Sequence, residues 1–578
     1  MPGPVVLELQ NVSFRYGLAL SNALCNVNLA VREGETVGIV GATGSGKSTL
    51  LYLMAGVIPH YIEGQLEGDV LIRGRRSADL TMGKIVQDVA LVGQDPESQL
   101  FNLLVRDEVV WGAENRGYPR EQITRMFKQT GRLFGIDGLE KRVTYDLSGG
   151  QKQRVVIAAN YITNPSILLM DCPTSMLDPL GANTVEDAIK TVEARRTTVV
   201  LVEHNVDVMV ELVNRLIVLD AGQIVVDCPV EEIYSHEPAL RRAGVRLPQI
   251  VELTVRLAKR GVTFSQKPLG VGAAIPSYGQ AVSLAARSRL PETPVPQPAP
   301  PEPVLRIRDL DFTYTGPQPI PALRNVNLDI RRGWLTAIVG QNGSGKTTLA
   351  RCASAYLKPT RGKVTMGQEV VHTMPLRARA RRIGYVFQNP DHEIFKETVD
   401  SDVAFGPRNL KEPEERYQQK TYTLLSRLGL WDKWDWHPYQ LSRGERQRVA
   451  IAAIAVMEPE VLIIDEPTTG QDATQAQEIF EFLRWLISEH GVTVIVITHA
   501  MDLVASFCDW VVVMRDGSIV LEGTARQVFA QTEVLRQTFL QPPPVCRLSQ
   551  ALGLSPLPLD VDAAEELFWT LSQAGVSG

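Results

Sequence analysis

Two segments of this chain bring glycines, a lysine and hydroxyls together in the pattern G-x-x-x-x-G-K-[ST]. The first is Gly41-Ala42-Thr43-Gly44-Ser45-Gly46-Lys47-Ser48-Thr49, and the second is Gly340-Gln341-Asn342-Gly343-Ser344-Gly345-Lys346-Thr347-Thr348. Glycines leave backbone N–H groups free to wrap phosphate oxygens, and this spacing is that of a loop cradling nucleotide phosphates. Lys47 and Lys346 are placed to reach the β- and γ-phosphates, and the Ser48 and Thr347 hydroxyls to bind Mg²⁺. Gly41, Gly44, Ser45, Gly46 and Thr49 complete the first cradle; Gly340, Asn342, Gly343, Ser344, Gly345 and Thr348 complete the second.

Downstream, two apolar runs end in a carboxylate: Ile167-Leu168-Leu169-Met170-Asp171 and Val461-Leu462-Ile463-Ile464-Asp465. This is the Walker B arrangement, in which the carboxylate supports Mg²⁺, usually through water. Glu466 follows Asp465 and is placed to polarise an attacking water. Cys172 follows Asp171. A carboxylate in one copy is a thiol in the other, so the two copies are not chemically equivalent.

The elements that must position these groups are legible around them. Glu35-Thr36-Val37-Gly38-Ile39-Val40 and Trp334-Leu335-Thr336-Ala337-Ile338-Val339 read as strands feeding the two loops, with a helix expected after each. Short β-branched runs such as Thr198 to Val202 and Val492 to Ile497 read as buried parallel strands. No apolar run reaches the roughly 18 residues that a membrane helix needs. Met1-Pro2-Gly3-Pro4 has neither the basic nor the apolar region of a signal peptide. Six scattered cysteines without a C-x-x-C point to reduced thiols in a cytosolic setting. A net charge of −6 gives no basic excess for nucleic acid.

A chain of 578 residues is too long for one core. Its motifs recur at an offset of 294 to 299 residues: Lys47 with Lys346, Gln94 with Gln388, Ser148 with Ser442, Asp171 with Asp465, His204 with His499. The whole module is therefore duplicated. Residues 1–265 form the first unit and 304–578 the second, each with a short helical C-terminal extension. Residues 266–303, rich in Pro, Ala and Ser and ending in a proline run, are expected to be an extended tether.

The segment Leu147-Ser148-Gly149-Gly150-Gln151-Lys152-Gln153-Arg154 is far more specific than a phosphate loop. With it, the chain resembles the nucleotide-binding domains of ATP-binding cassette (ABC) proteins. The second copy, Leu441-Ser442-Arg443-Gly444-Glu445-Arg446-Gln447-Arg448, departs from that signature. The resemblance implies an α/β fold: two tandem ABC-type P-loop ATPase domains, each with a helical subdomain, using ATP and Mg²⁺. It makes Gln94 and Gln388 the Q-loop glutamines, which also approach the metal. Ser175-Met176-Leu177-Asp178 and Thr469-Gly470-Gln471-Asp472 become the D-loops, and His204 and His499 the switch histidines. Tyr16 and Tyr314 match the aromatic that stacks on adenine.

In the ABC family each phosphate loop is completed by the signature of the opposite cassette. The implied pairing is a head-to-tail dimer within one chain. Site A joins Lys47, Asp171 and His204 with Ser442 and Gly444. Site B joins Lys346, Asp465, Glu466 and His499 with Ser148, Gly149, Gly150 and Gln151. Cys172 and Arg443, the two departures, both fall in site A. Hydrolysis is therefore expected at site B, with Glu466, His499, Gln388 and Lys346 as its catalytic residues, and mainly binding at site A.

A narrower resemblance follows each Q-loop. Val92-Gly93-Gln94-Asp95-Pro96-Glu97-Ser98-Gln99-Leu100-Phe101 and Val386-Phe387-Gln388-Asn389-Pro390-Asp391-His392-Glu393-Ile394-Phe395 look like ATPases of energy-coupling factor (ECF) transporters. That family implies an integral membrane scaffold protein and a substrate-binding membrane protein as partners. It places the chain peripherally on the cytoplasmic side of the cell membrane, driving uptake of a vitamin, a vitamin precursor or a metal ion, and implies no nucleic acid. The alternative is a soluble twin-cassette ATPase acting on ribosomes or nucleic acid, for which a charged or helical tether and two intact sites would be expected. The acidic residues Asp95, Glu97, Asp391 and Glu393, set among Leu100, Phe101, Ile394 and Phe395, are expected to grip a basic helix of the scaffold.

Overall fold

The structure, a computed structural model, describes residues 3–576 except 18, 175, 176, 178, 282–300, 317 and 318. The chain divides into two units, residues 1–278 and 279–578.

In the first unit the strands are β1 (Val5–Tyr16), β2 (Leu24–Arg32), β3 (Thr36–Val40), β4 (Gly64–Ile72), β5 (Arg75–Arg76), β6 (Val89–Val92), β7 (Ile167–Asp171), β8 (Thr198–Val202), β9 (Arg215–Asp220) and β10 (Gln223–Pro229). They form a four-stranded sheet ordered β2-β1-β4-β5 and a six-stranded sheet ordered β10-β9-β3-β8-β7-β6. The second unit repeats this with β11 (Pro303–Tyr314), β12 (Ile320–Arg331), β13 (Leu335–Gly340), β14 (Arg361–Met366), β15 (Glu369–Val370), β16 (Ile383–Val386), β17 (Val461–Asp465), β18 (Thr493–Ile497), β19 (Trp510–Arg515) and β20 (Ser518–Gly523). Its sheets run β12-β11-β14-β15 and β16-β17-β18-β13-β19-β20, the same order.

Burial explains the composition of these strands. Every residue of β3, β7, β8, β13, β17 and β18 is buried. A parallel strand covered on both faces needs a continuous apolar run, and these strands have one. One core lies between the two sheets of each unit, around Phe14, Leu50 and Leu53 in the first and Leu305, Leu323 and Leu349 in the second. A second core covers the opposite face and reaches into the helical subdomain. That subdomain contains the helices Val105–Asn115, Arg120–Leu133 and Gly149–Tyr161, matched by Val399–Val403, Phe405–Asn409, Glu414–Arg427 and Arg443–Ala455. Among the described residues no helix is long and apolar enough to cross a membrane.

Parallel pairing brings the chemistry to one sheet edge. Asp171 pairs with Val202 at the ends of β7 and β8, and Asp465 pairs with Ile497 at the ends of β17 and β18. The phosphate loops leave β3 and β13, the strands next to β8 and β18.

The region read as a tether differs in part. Val271–Ala281 is a helix, with Val271, Ala274, Ser277 and Tyr278 buried. Tyr278 hydrogen-bonds Thr254 at 2.8 Å, which fixes this helix on the preceding one. Average composition hid a short i, i+3, i+6 stripe. Residues 282–300 lie outside the described residues, and Pro303 already pairs with Arg331 in β11.

Candidate functional site

Each phosphate loop is held in a strained, open form that suits an anion. Gly46 and Gly345 sit at φ 102° and 99°. A Cβ there would lie 2.5 Å from the Ala23 carbonyl or 2.6 Å from that of Ala322. Only glycine fits such a position. Lys47 Nζ donates to the carbonyls of Gly41 and Ala42, both at 2.8 Å. Lys346 Nζ donates to those of Gly340 at 2.7 Å and Gln341 at 2.9 Å. The Ser45 and Ser344 hydroxyls are enclosed with no hydrogen-bond partner among the described residues. A buried donor without a partner is costly, and each loop has one such donor to offer an anion. Ser48 and Thr347 follow the lysines at the first turn of the helices Lys47–Met54 and Lys346–Ala353. The helix N-termini add positive potential. The donor set therefore fits a nucleotide triphosphate.

Tyr16 and Tyr314 stand beside these loops. The Tyr16 hydroxyl hydrogen-bonds Thr49 at 3.0 Å, and that of Tyr314 bonds Thr348 at 3.1 Å. Each ring packs edge-on to a phenylalanine, Phe14 or Phe312, at 4.9 Å. The hydroxyls of Thr49 and Thr348 thus hold tyrosines within the unit.

The two Walker B ends differ in detail. In the second unit Tyr385 donates to Asp465 at 3.1 Å, and burial raises the Asp465 pKa. Glu466 has φ 51°, and its carboxylate lies 3.2 Å from His499 Nε2. Burial pushes Glu466 far above the usual carboxylate range; Lys346 opposes the shift and Asp465 adds to it. A carboxylate of raised basicity beside a histidine is equipped to take a proton from water.

In the first unit Cys172 has the same left-handed backbone, φ 46°. Its thiol is held well above its ordinary pKa by burial, with Glu203 and then Asp171 as the next causes. Glu203 itself accepts hydrogen bonds from the Thr174 backbone N–H at 3.0 Å, the Thr174 hydroxyl at 2.6 Å and the His204 N–H at 3.2 Å. Burial pushes its pKa up to about 7 despite those donors. Sequence reasoning missed Glu203. The signal was present, since Glu203-His204 stands where the second copy has Thr498-His499.

Gln94 and Gln388 follow β6 and β16, next to the Walker B strands. Ser148 and Ser442 cap the helices Gly149–Tyr161 and Arg443–Ala455 through capping boxes, with Gln151 and Glu445 as their third-residue partners. The Ser442 hydroxyl donates to Glu445 at 2.7 Å, and Glu445 also pairs with Lys433. Gly149 occupies the half-buried position that Arg443 takes in the second unit. Gly150 and Gly444 are different: a Cβ there would meet Gly181 at 2.9 Å or Gln471 at 2.8 Å. Ser175, Met176 and Asp178 of the first D-loop lie outside the described residues. In the second, Gln471 donates to the Gly444 carbonyl at 2.9 Å and Asp472 caps the helix Ala473–His490.

The acidic segments after the Q-loops are not free grips. Glu97 pairs with Lys152 and Asp391 with Arg446 at 2.7 Å, each a cation on its own unit's signature helix. Asp95 is turned onto the Glu97 N–H at 2.9 Å. Glu393 points inward, accepting from the Phe387 N–H at 3.2 Å, and burial pushes its pKa up to about 8. Sequence gave the charge but not the cations folded against it. Leu100 and Ile394 are core residues, whereas Phe101 and Phe395 are each 60% exposed.

This geometry is duplicated, and so is the match to known proteins. The ABC transporter family model matches residues 24–175 and again residues 323–469. The chain belongs to the ABC transporter family. A relative from Methanosarcina mazei, provisionally named an ABC transporter ATP-binding protein, is 35% identical over 94% of this chain and 93% of its own length. Another from Caldanaerobacter subterraneus subsp. tengcongensis, TTE1589, is 35% identical over 94% and 96%. Among solved structures, cbiO1 from Clostridium perfringens, part of the ABC transporter complex cbiONQ, is 38% identical over 42% of this chain and 96% of its own, with a TM-score of 0.37. The protein is thus a two-cassette ABC ATPase, of a family that binds and hydrolyses ATP.

Proposed function

We propose that this ABC protein is the energy-coupling ATPase of an ECF-type importer, working at the cytoplasmic face of a membrane. The observation that carries the reading is the pair of segments after Gln94 and Gln388. They keep one pattern in both cassettes and hold Phe101 and Phe395 out from the surface. Phe101 rests against Trp111 at 5.4 Å and Phe395 against Phe405 at 4.7 Å, giving each cassette an exposed aromatic edge. Such an edge beside an acid–base pair suits an amphipathic helix of a membrane scaffold. The scaffold would in turn carry the substrate-binding membrane protein.

On the pattern of the ABC family, each signature would complete the other cassette's phosphate loop. Ser148, Gly149 and Gly150 would then serve the loop of Lys346, and Ser442 and Gly444 that of Lys47. Ser48 with Asp171, and Thr347 with Asp465, would hold Mg²⁺, with Gln94 and Gln388 as further contacts. When bound, the ion neutralises charge on the phosphates. Glu466 takes the proton from the attacking water while His499, 3.2 Å away, orients its carboxylate. Lys346 leaves its two loop carbonyls to meet phosphate oxygen. The first cassette, with Cys172 in place of that base, mainly binds ATP.

Purification from detergent-solubilised native membranes tests the assignment. Small integral membrane proteins are expected to copurify. Ribosomal proteins or nucleic acid in their place would overturn it.

A further inference from the structure

The helices on either side of each Q-loop are laced together by arginine, and the lacing runs in opposite directions in the two cassettes. In the first, Arg116 at the end of the helix Val105–Asn115 donates to the Val86 carbonyl in the helix Met82–Asp88. In the second, Arg377 of the helix Leu376–Ala380 and its cap Arg381 donate to the Leu410 carbonyl at 2.8 and 3.0 Å. Leu410 closes the helix Phe405–Asn409. The reversal gathers charge. Arg377, Arg379, Arg381 and Lys411 stand where the first cassette has Gly83, Ile85, Gln87 and Gly117. Of the arginines from 377 to 382, Arg382 is the one that pairs with carboxylates among the described residues, those of Glu369 and Glu460. Glu412, the acid next to Lys411, is drawn to Lys420 at 3.4 Å. Arg377, Arg381 and Lys411 are exposed, and Leu376 beside them is 71% exposed. The same corner adjoins the proposed scaffold edge, because the helix that Leu410 closes opens at Phe405, about 8 Å along its axis.

We infer that this corner of the second cassette rests on anionic lipid headgroups beside the scaffold. Charge and shape both favour that occupant. A guanidinium meets phosphate oxygens through paired N–H donors, and Arg377 and Arg381 each spend one nitrogen on Leu410 and keep the others. Leu376 offers an apolar contact at the headgroup boundary. The chain as a whole is acidic, at −6, so the attraction is local to the corner. Such attraction fades within a Debye length. It therefore acts only on a surface already held at the bilayer, which is the task proposed for Phe395 and Phe405. The first cassette, with two glycines, an isoleucine and a glutamine at the matching positions, has no equivalent hold. The inference rests on the proposal that the chain works at a membrane.

The test sediments the full-length protein with vesicles of phosphatidylcholine, and with vesicles in which about one-third of the lipid is phosphatidylglycerol. Binding is expected to the anionic vesicles and at least tenfold less to the neutral ones. Arg377→Gln with Arg381→Gln and Lys411→Gln should weaken anionic binding by at least tenfold, since each cation near such a surface is worth roughly fivefold. Those arginines also lace the fold, so Lys411→Glu, which leaves both bonds to Leu410 in place, is measured by itself and should cost about tenfold. Arg120→Gln with Arg125→Gln and Lys128→Gln removes three exposed cations from the first cassette and should stay within about twofold. Unchanged binding in Lys411→Glu overturns the inference, as does equal binding to neutral vesicles or an equal loss in the first-cassette triple. A DNA duplex held more tightly than vesicles at equal phosphate, and released by the second-cassette triple, overturns it in favour of nucleic acid. Loss of the scaffold in detergent with vesicle binding intact overturns it in favour of a protein contact. Failure of the membrane reading shows elsewhere: ribosomal proteins in the detergent eluate contradict that reading whatever the vesicles bind.

Discussion

In the first cassette the residue after the Walker B aspartate is Cys172 and the residue before the switch histidine is Glu203; in the second these are Glu466 and Thr498. Around that exchange almost everything mechanical is the same. Strand order, the left-handed turn and the serine caps of the signature helices are shared. So is the ion pair from the Q-loop segment to the signature helix, Glu97 with Lys152 and Asp391 with Arg446. What differs is chemical. Asp465 is hydrogen-bonded by Tyr385, where the first cassette has Leu91 in the matching strand position. The lesson is that the ion pair from the Q-loop segment to the signature helix is kept in both copies, while the carboxylate directly after the Walker B aspartate is present in one.

The strongest way to break this comparison is at the base. Glu466→Gln is expected to lower steady-state phosphate release by about 10² to 10⁴-fold, whereas Cys172→Ser should change it less than twofold. Comparable losses from both would mean that the two sites share the work. Next in size is Tyr385→Phe, which removes a hydrogen bond to Asp465 worth about 1 kcal/mol. Single-turnover hydrolysis should slow about fivefold, and an unchanged rate would make Tyr385 a packing residue only.

Smaller effects sharpen the shared half. Lys152→Met and Arg446→Met each cut an ion pair between an outward acid and a mostly covered cation, for which about 1 kcal/mol, the upper end for exposed pairs, is expected. Urea midpoints should fall slightly and by similar amounts. A loss above about 2 kcal/mol in one cassette alone would show that the linkage has diverged as well. The last test is pH-linked. Glu393 is the counterpart of Gln99. Its folded pKa is about 8 against an ordinary value of 4.5, because burial disfavours the anion. Between those values the unfolded chain binds fewer protons than the folded one, so the contribution of Glu393 to stability falls as pH rises through that window. Glu393→Gln removes the dependence. Its melting temperature should match the wild type near pH 4.5 and exceed it by a few degrees at pH 8; a constant difference across pH would refute the buried acid.

Much of this was legible before any coordinates. The phosphate loops, Asp171, Asp465, the signature serines and the histidines all lie at motif spacings, and local geometry at such sites is dictated by neighbours in sequence. The alternation of buried strands followed from β-branched runs. The parts that escaped are those decided by partners distant in sequence. Glu97 and Asp391 read as free acids because Lys152 and Arg446 stand 55 residues away. Glu203 escaped because its contacts with Thr174 form only where β7 and β8 end side by side. The helix Val271–Ala281 was lost in a segment whose average composition spoke for a tether.

The presence of both cassettes on one polypeptide has a consequence for inheritance of the defect. Were the copies separate chains that paired at random, some pairs would unite two Cys172 cassettes and contain no base at all. Others would unite two Glu466 cassettes and lose any division of labour. Joining them gives every molecule one of each at fixed stoichiometry. On the proposed division between the sites, the fusion turns a change that would poison a share of a mixed population into one that every molecule carries and none is disabled by.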